Sequence, residues 1–162
     1  MRFSFPALLS LLVLATSPAS AEDIRFPKTF KPALMIHTPK GWTSEVQNGL
    51  LSDNLVIQSD DSTMVLVISL VPTLGSVDKI AAKLLQQAPL SKASGNLAGL
   101  SATVFRGKTN NPNGLKLNQK LFVAPIDPQE GYSCMLITSM DDNDPRLAPA
   151  SAVIAGIKLL PK

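Results

Sequence analysis

The chain has one cysteine, one histidine, one tryptophan and one tyrosine in 162 residues, so much familiar chemistry is excluded at the outset. A lone Cys134 rules out an internal disulfide, and packing alone must hold the fold together. Aromatic residues make up 5%, too few for a row of stacked bases or a sugar-binding platform. Fifteen basic residues face twelve acidic ones, and the net charge of +3 is too small and scattered to imply nucleic acid or an anionic membrane as partner. No G-x-S-x-G or comparable nucleophile signature occurs. Gly107-Lys108-Thr109 resembles the end of a phosphate-binding loop, yet the upstream glycine and the following helix are missing.

What is present begins with an export signature. Residues 1–21 carry one charge, Arg2, then an apolar stretch around Ala7 to Ala15, and end in Ala19-Ser20-Ala21. That pattern reads as a secretory signal peptide cleaved after Ala21, its apolar core too short to span a bilayer. Removing 21 of the 162 residues leaves 141, a single-domain length. No cysteine near the junction could carry a lipid, so the expectation is a periplasmic protein without a membrane anchor after signal cleavage.

Residues 22–32 mix charges with Pro27 and Pro32, show no period and read as an irregular lead-in. One domain is expected over residues 33–162. Its organising stretch is Thr63 to Ala88. The run from Thr63 to Pro72 is apolar and β-branched with little alternation, which describes a strand covered on both faces. Strands are also expected at Ala33–Thr38, Trp42–Gln47 and Asn54–Ser59, with turns at Pro39-Lys40-Gly41 and Asn48-Gly49.

Ser76 is a good N-cap for a helix whose apolar positions Val77, Ile80, Ala81, Leu84, Leu85 and Ala88 form one stripe, and Pro89 stops it. Beyond it, Leu97–Arg106 reads as a strand and Gly107–Gly114 as an exposed loop. Leu115–Val123 alternates, with Lys116, Asn118 and Lys120 on its polar face. Pro125–Gly131 reads as a turn and Tyr132–Met140 as a second interior strand. Asp144-Pro145 opens a short helix over Leu147–Ala155 that Gly156 closes, and Ile157–Leu160 forms a last strand or tail. One helix cannot cover two interior strands on both faces, so the expected architecture is α+β: a mainly antiparallel sheet flanked by helices on both faces, an α/β/α sandwich.

Few residues offer chemistry. Asp141 to Asp144 is an acidic cluster, but only Asp141 and Asn143 match a calcium loop, and a solvated turn with an N-cap accounts for it. His37 would act as a base only with a nucleophile and an orienting acid brought near it. Cys134 lies among apolar neighbours and reads as a small buried hydrophobe, with an intermolecular bridge or a reactive thiol as alternatives. Trp42 reads as a core plug beside its turn. The remaining cluster is Arg106, Lys108, Asn110, Asn111, Asn113 and Lys116, gathered at one hairpin tip where they could meet an acidic partner, or simply form a soluble hairpin end.

Ile36-His37-Thr38-Pro39-Lys40-Gly41-Trp42 resembles the extended segment ending in Pro-x-Gly-Trp that opens the domain of PsbP-like and DcrB-like proteins. The later segments Leu97-Ala98-Gly99-Leu100-Ser101-Ala102 and Ile157-Lys158-Leu159-Leu160 are similar to their "l-x-G-x-x-A" strand and final "i-x-x-L" run. This resemblance implies the same α/β/α sandwich, and a class of mostly non-enzymatic binding or assembly factors with no catalytic residue to carry over. The expectation is therefore a non-enzymatic periplasmic accessory protein acting by protein–protein contacts, with an inhibitor or immunity factor for a cell-wall-directed effector as one form of it. No metal and no cofactor are expected. A carrier of a small apolar ligand is an alternative that needs a cavity near about 300 Å³ between sheet and helix. A hydrolase using His37 is another, and it needs a nucleophile within hydrogen-bond reach.

Overall fold

Alternation of buried and half-exposed side chains along strands sets the main feature of the fold, a seven-stranded antiparallel sheet. The structure, a computed structural model, describes residues 21–28, 32–47, 53–72, 76–110, 116–127, 132–140 and 144–161. In chain order the elements are β1 (Glu22–Phe26), β2 (Ala33–Thr38), β3 (Thr43–Gln47), β4 (Asn54–Gln58), β5 (Val65–Pro72), α1 (Val77–Leu84), β6 (Ser91–Leu97), β7 (Leu100–Asn110), β8 (Lys116–Asp127), β9 (Tyr132–Met140), α2 (Leu147–Gly156) and β10 (Lys158–Leu160). The large sheet has the order β3-β4-β5-β9-β8-β7-β6, and a three-stranded sheet has the order β1-β2-β10. After β5, α1 carries the chain to the far edge at β6, and a meander brings it back until β9 pairs with β5.

The two faces of the large sheet bury different clusters. On one, Leu55, Ile57, Leu66, Ile68, Cys134 and Leu136 meet Leu34 and Ile36 of β2, Phe26 of β1, and Ala150, Val153 and Ile154 of α2. On the other, Phe105, Leu121, Val123 and Met135 meet Ala81 of α1 and Leu85 just after it. Each large side chain fully buried in this way contributes about 1.5–3 kcal/mol. Ser76 caps α1 as its position requires, its hydroxyl accepting the Lys79 N–H at 3.3 Å. Asp78 in the first turn reaches Lys92 on β6 at 2.9 Å, and that ammonium lies 5.6 Å from the Phe105 ring centre.

The expected α/β/α sandwich does not form. Among the described residues the chain is mostly antiparallel strand in two sheets with only two short helices, so the large sheet is not sandwiched between two helical layers. The face opposite α1 is covered by the three-stranded sheet together with α2. The error lies in residues 22–32, whose charges and prolines conceal a strand. β1 pairs with β2 from Glu22↔Thr38 to Phe26↔Leu34, and only at Phe26 is its side chain fully buried. β10 takes the other edge of β2, from Lys158↔Met35 to Leu160↔Ala33. Segments from both ends of the domain thus build the sheet that supplies much of the second cover.

Other differences have local causes. α1 stops at Leu84 instead of Ala88, because Gln86 takes the left-handed conformation (φ 57°) and turns the chain toward β6. There the Leu90 N–H donates to the Arg106 carbonyl at 2.7 Å. The segment Leu97–Arg106 is not one strand: Ala98 and Gly99, at φ 55° and 78°, form a two-residue hairpin turn between β6 and β7. β6 has no apolar period because it is an exposed edge strand in which only Leu97 is buried. Gly107 lies within β7, where a Cβ would come within 3.1 Å of Leu85 Cδ1, so it is a packing glycine beneath the end of α1 and not a turn residue. β8 runs past Pro125 to Asp127 through a register irregularity, where a turn was expected. The expected turn at Asn48-Gly49 lies outside the described residues, although β3 and β4 pair from Thr43↔Gln58 to Gln47↔Asn54.

Gln86 is exposed, so its cost is one of backbone alone. Gln86→Gly is expected to stabilise the protein by about 0.5–1 kcal/mol, read as a higher urea midpoint at unchanged m-value.

Candidate functional site

Strand geometry assembles the basic residues more tightly than their spacing in sequence suggests. Residues two apart on a strand share a face, so Arg106, Lys108 and Asn110 of β7 project together. Directly opposite on β8 stand Lys120, Asn118 and Lys116, in the register Arg106↔Lys120, Lys108↔Asn118 and Asn110↔Lys116. Arg106, Lys108, Asn110 and Lys116 are exposed, while Asn118 and Lys120 are half-buried. Among the described residues none of these four cations has an ion-pair partner. Like charges directly opposed across an antiparallel pair repel, so the Arg106–Lys120 pair carries an uncompensated electrostatic cost.

Four of the six residues expected at this tip therefore meet on one face: Arg106, Lys108, Asn110 and Lys116. Asn111 and Asn113 lie outside the described residues. Lys120 and Asn118 belong with the cluster and were missed as site residues. Their alternation along β8 was visible, but the register that sets Lys120 against Arg106 was not.

Two cavities adjoin this face. One, of about 290 Å³, lies between α2 and the sheet and is lined by Asn96, Lys120, Phe122, Ser151, Ile154 and Ala155. The other, of about 130 Å³, includes Leu90, Arg106, Lys108, Asn118 and Lys120 in its wall. Lys120 lines both. Beside it in the same cross-strand row stands Thr138, fully buried, whose hydroxyl has no hydrogen-bond partner among the described residues.

The remaining candidates are dispersed. His37 is exposed on β2, where its Nδ1 lies 2.7 Å from Asp23 Oδ1 on β1. Cys134 is fully buried in β9 of the large sheet, and burial pushes its thiol pKa up to about 12. The structure does not bring His37 and Cys134 together, and a thiol so raised is not a nucleophile. Trp42 is buried at the end of a turn in which its N–H donates to the Pro39 carbonyl at 3.2 Å and Gly41 holds φ 86°.

One electrostatic network ties the β4–β5 turn to the start of α2. Arg146 donates through Nε to Asp144 Oδ1 at 2.7 Å and through Nη1 to Asp61, while the Asp144 carboxylate also accepts the Arg146 N–H at 2.8 Å. Thus Asp144 does not cap a helix beginning at Pro145; it organises a turn before α2. The Ser59 hydroxyl, the Thr63 N–H and Arg146 hold the Asp61 carboxyl well below the usual carboxylate range. Hydrogen bonds from the Arg146 side chain and N–H also lower the pKa of the Asp144 carboxyl. Of the acidic cluster, Asp141 to Asn143 lie outside the described residues.

Two outcomes follow from these environments. Carboxyls with depressed pKa values stabilise the fold fully above the unfolded carboxylate range, about pH 4, and lose that contribution as pH falls below it. The urea midpoint is expected to drop on acidification through this window, and Asp61→Asn to flatten the drop. Cys134 is expected to resist a disulfide-exchange reagent in the native protein and to react with one equivalent only after denaturation in guanidinium.

No family model matches the chain, and no curated protein does. Among solved structures it is similar to a crystal structure of a protein from Bacteroides thetaiotaomicron, with a TM-score of 0.55 and 14% identity over 80% of this chain and 46% of that one. The chain spans less than half the length of that protein, and a likeness at this identity concerns the fold alone.

Proposed function

We propose that this protein is an exported, non-enzymatic accessory factor that acts in the periplasm by protein–protein contact, using the β7–β8 face to hold an acidic partner. The observation that carries the reading is the concentration of Arg106, Lys108, Lys116 and Lys120 on one side of a hairpin, without carboxylates to neutralise them among the described residues. Such a surface gains little for the fold and favours encounter with an oppositely charged surface. The outer end of the hairpin suits recognition, because among the described residues Gly107 to Asn110 pair with β8 alone and leave the other edge of β7 unpaired. Inhibition of, or immunity against, a cell-wall-directed effector is the form of such contact we favour, since a small exported binding protein meets such enzymes in that compartment. The signal-peptide reading of residues 1–21 and the resemblance of Ile36–Trp42 to PsbP-like and DcrB-like proteins support the same class.

The test is capture from periplasmic extract with the wild-type protein and with Lys108→Glu/Lys116→Glu, both shown to be folded by their urea midpoints. A partner acting on this face is expected to be held at low salt, released as salt rises past the screening range, and lost from the charge-reversed variant. An identical partner set on both proteins would remove this face from consideration.

A further inference from the structure

The cavity between α2 and β8 has a wall of one chemical sign. Among the described residues its polar groups are the Lys120 ammonium, the Asn96 amide and the Ser151 hydroxyl, all able to donate hydrogen bonds, and no carboxylate lines it. The Asn96 Oδ1 already accepts the Gly99 N–H at 3.1 Å, so its NH₂ is the part left to donate. Phe122, Ile154 and Ala155 supply an apolar wall. Lys120 is half-buried, has no ion-pair partner among the described residues and stands opposite Arg106, so its charge is both partly desolvated and repelled. A bound anion would relieve both penalties at once. The volume of about 290 Å³ falls just below the usual range of ligand sites, about 300–1,000 Å³, and so fits only a small ligand.

We infer that this groove binds a small amphiphilic anion, a carboxylate or similar oxyanion on a short apolar body, with Lys120 holding the charged head and Phe122 and Ile154 packing against the body. The head lies toward Arg106, whose side chain lines the adjoining cavity on the other side of Lys120. The assignment shares Lys120 and Arg106 with the protein-contact face but can fail separately from that reading, because it makes no demand on Lys108 or Lys116.

Isothermal titration of the purified protein with decanoate tests it, with acetate as the head alone and decanol as the body alone. Decanoate is expected to bind saturably at one site, and acetate and decanol at least about tenfold more weakly, as expected when a charge-assisted hydrogen bond and apolar burial act together. Lys120→Gln is expected to weaken decanoate about tenfold and Lys120→Arg to restore most of the loss. Ser151 is exposed on α2, so Ser151→Trp can fill the groove without entering the core and is expected to abolish binding. Lys79→Gln, which removes an exposed charge on α1, is expected to leave it unchanged. Absence of saturable decanoate binding, equal affinity for decanol, or unchanged binding by either Lys120→Gln or Ser151→Trp would overturn the assignment.

Discussion

The pairing of β5 with β9 is the constraint on which the rest of the structure depends. It joins Val65↔Ser139 through Pro72↔Tyr132, so it cannot form until the intervening chain has traversed α1 and the whole β6–β7–β8 meander. Both strands bury side chains on opposite faces: Leu66, Ile68, Cys134 and Leu136 on one, Met135 with Val71 and Ile137 on the other. This pair therefore welds the two hydrophobic clusters into one body. Being long-range, the contact is costly in loop-closure entropy, and only burial on both faces offsets that cost. Without a disulfide to restrain the unfolded chain, no covalent device shares the load.

Elements that bury a face were legible in the sequence, and elements that do not were hidden. β5, β9 and the start of α1 stood out because continuous apolar runs and an N-cap serine have a direct physical meaning. β1 and β6 were concealed for the opposite reason: along β6 only Leu97 is buried, and along β1 only Phe26 is fully buried, so neither shows a period-2 pattern. An edge strand is defined by backbone bonds to its neighbour, and side-chain patterning is silent about those. The wrong expectation for the second cover follows from this blindness. Two interior strands correctly demanded cover on both faces, and a helix was assigned where a small sheet, drawn from both ends of the domain, supplies much of it. Glycine misled in a similar way. Gly107 sits among turn-forming residues, but it is required by Leu85 packing above it, a contact far from it in the chain.

The candidate site was legible as a list and not as a surface. Arg106, Lys108, Asn110 and Lys116 could be grouped by proximity in sequence, whereas the opposition of Arg106 and Lys120 depends on the register of β7 against β8. A shift of one residue in that register would have turned Lys120 onto the α1 face, into the rows of Phe105 and Leu121. Register is fixed here by apolar rows further along the same strands, Phe105↔Leu121 and Val104↔Phe122, so the core sets the positions of charges that it does not itself contain.

That separation bears on how such a surface can change without loss of the fold. β7 and β8 are the longest strands of the sheet, of 11 and 12 residues, and at their outer end Gly107 to Asn110 no longer pair with β6. The side chains of Lys108, Asn110 and Lys116 are exposed there, beyond the rows that hold the hydrophobic clusters. Substitutions at those three positions remove little buried area and break no hydrogen bond among the described residues, which puts them in the range of about ±0.5 kcal/mol usual for surface changes. Lys120 is different, because it is half-buried against the groove beside α2 and shares its row with Thr138 in the interior. The basic face thus has an outer part open to substitution and an inner part constrained by the packing around Lys120.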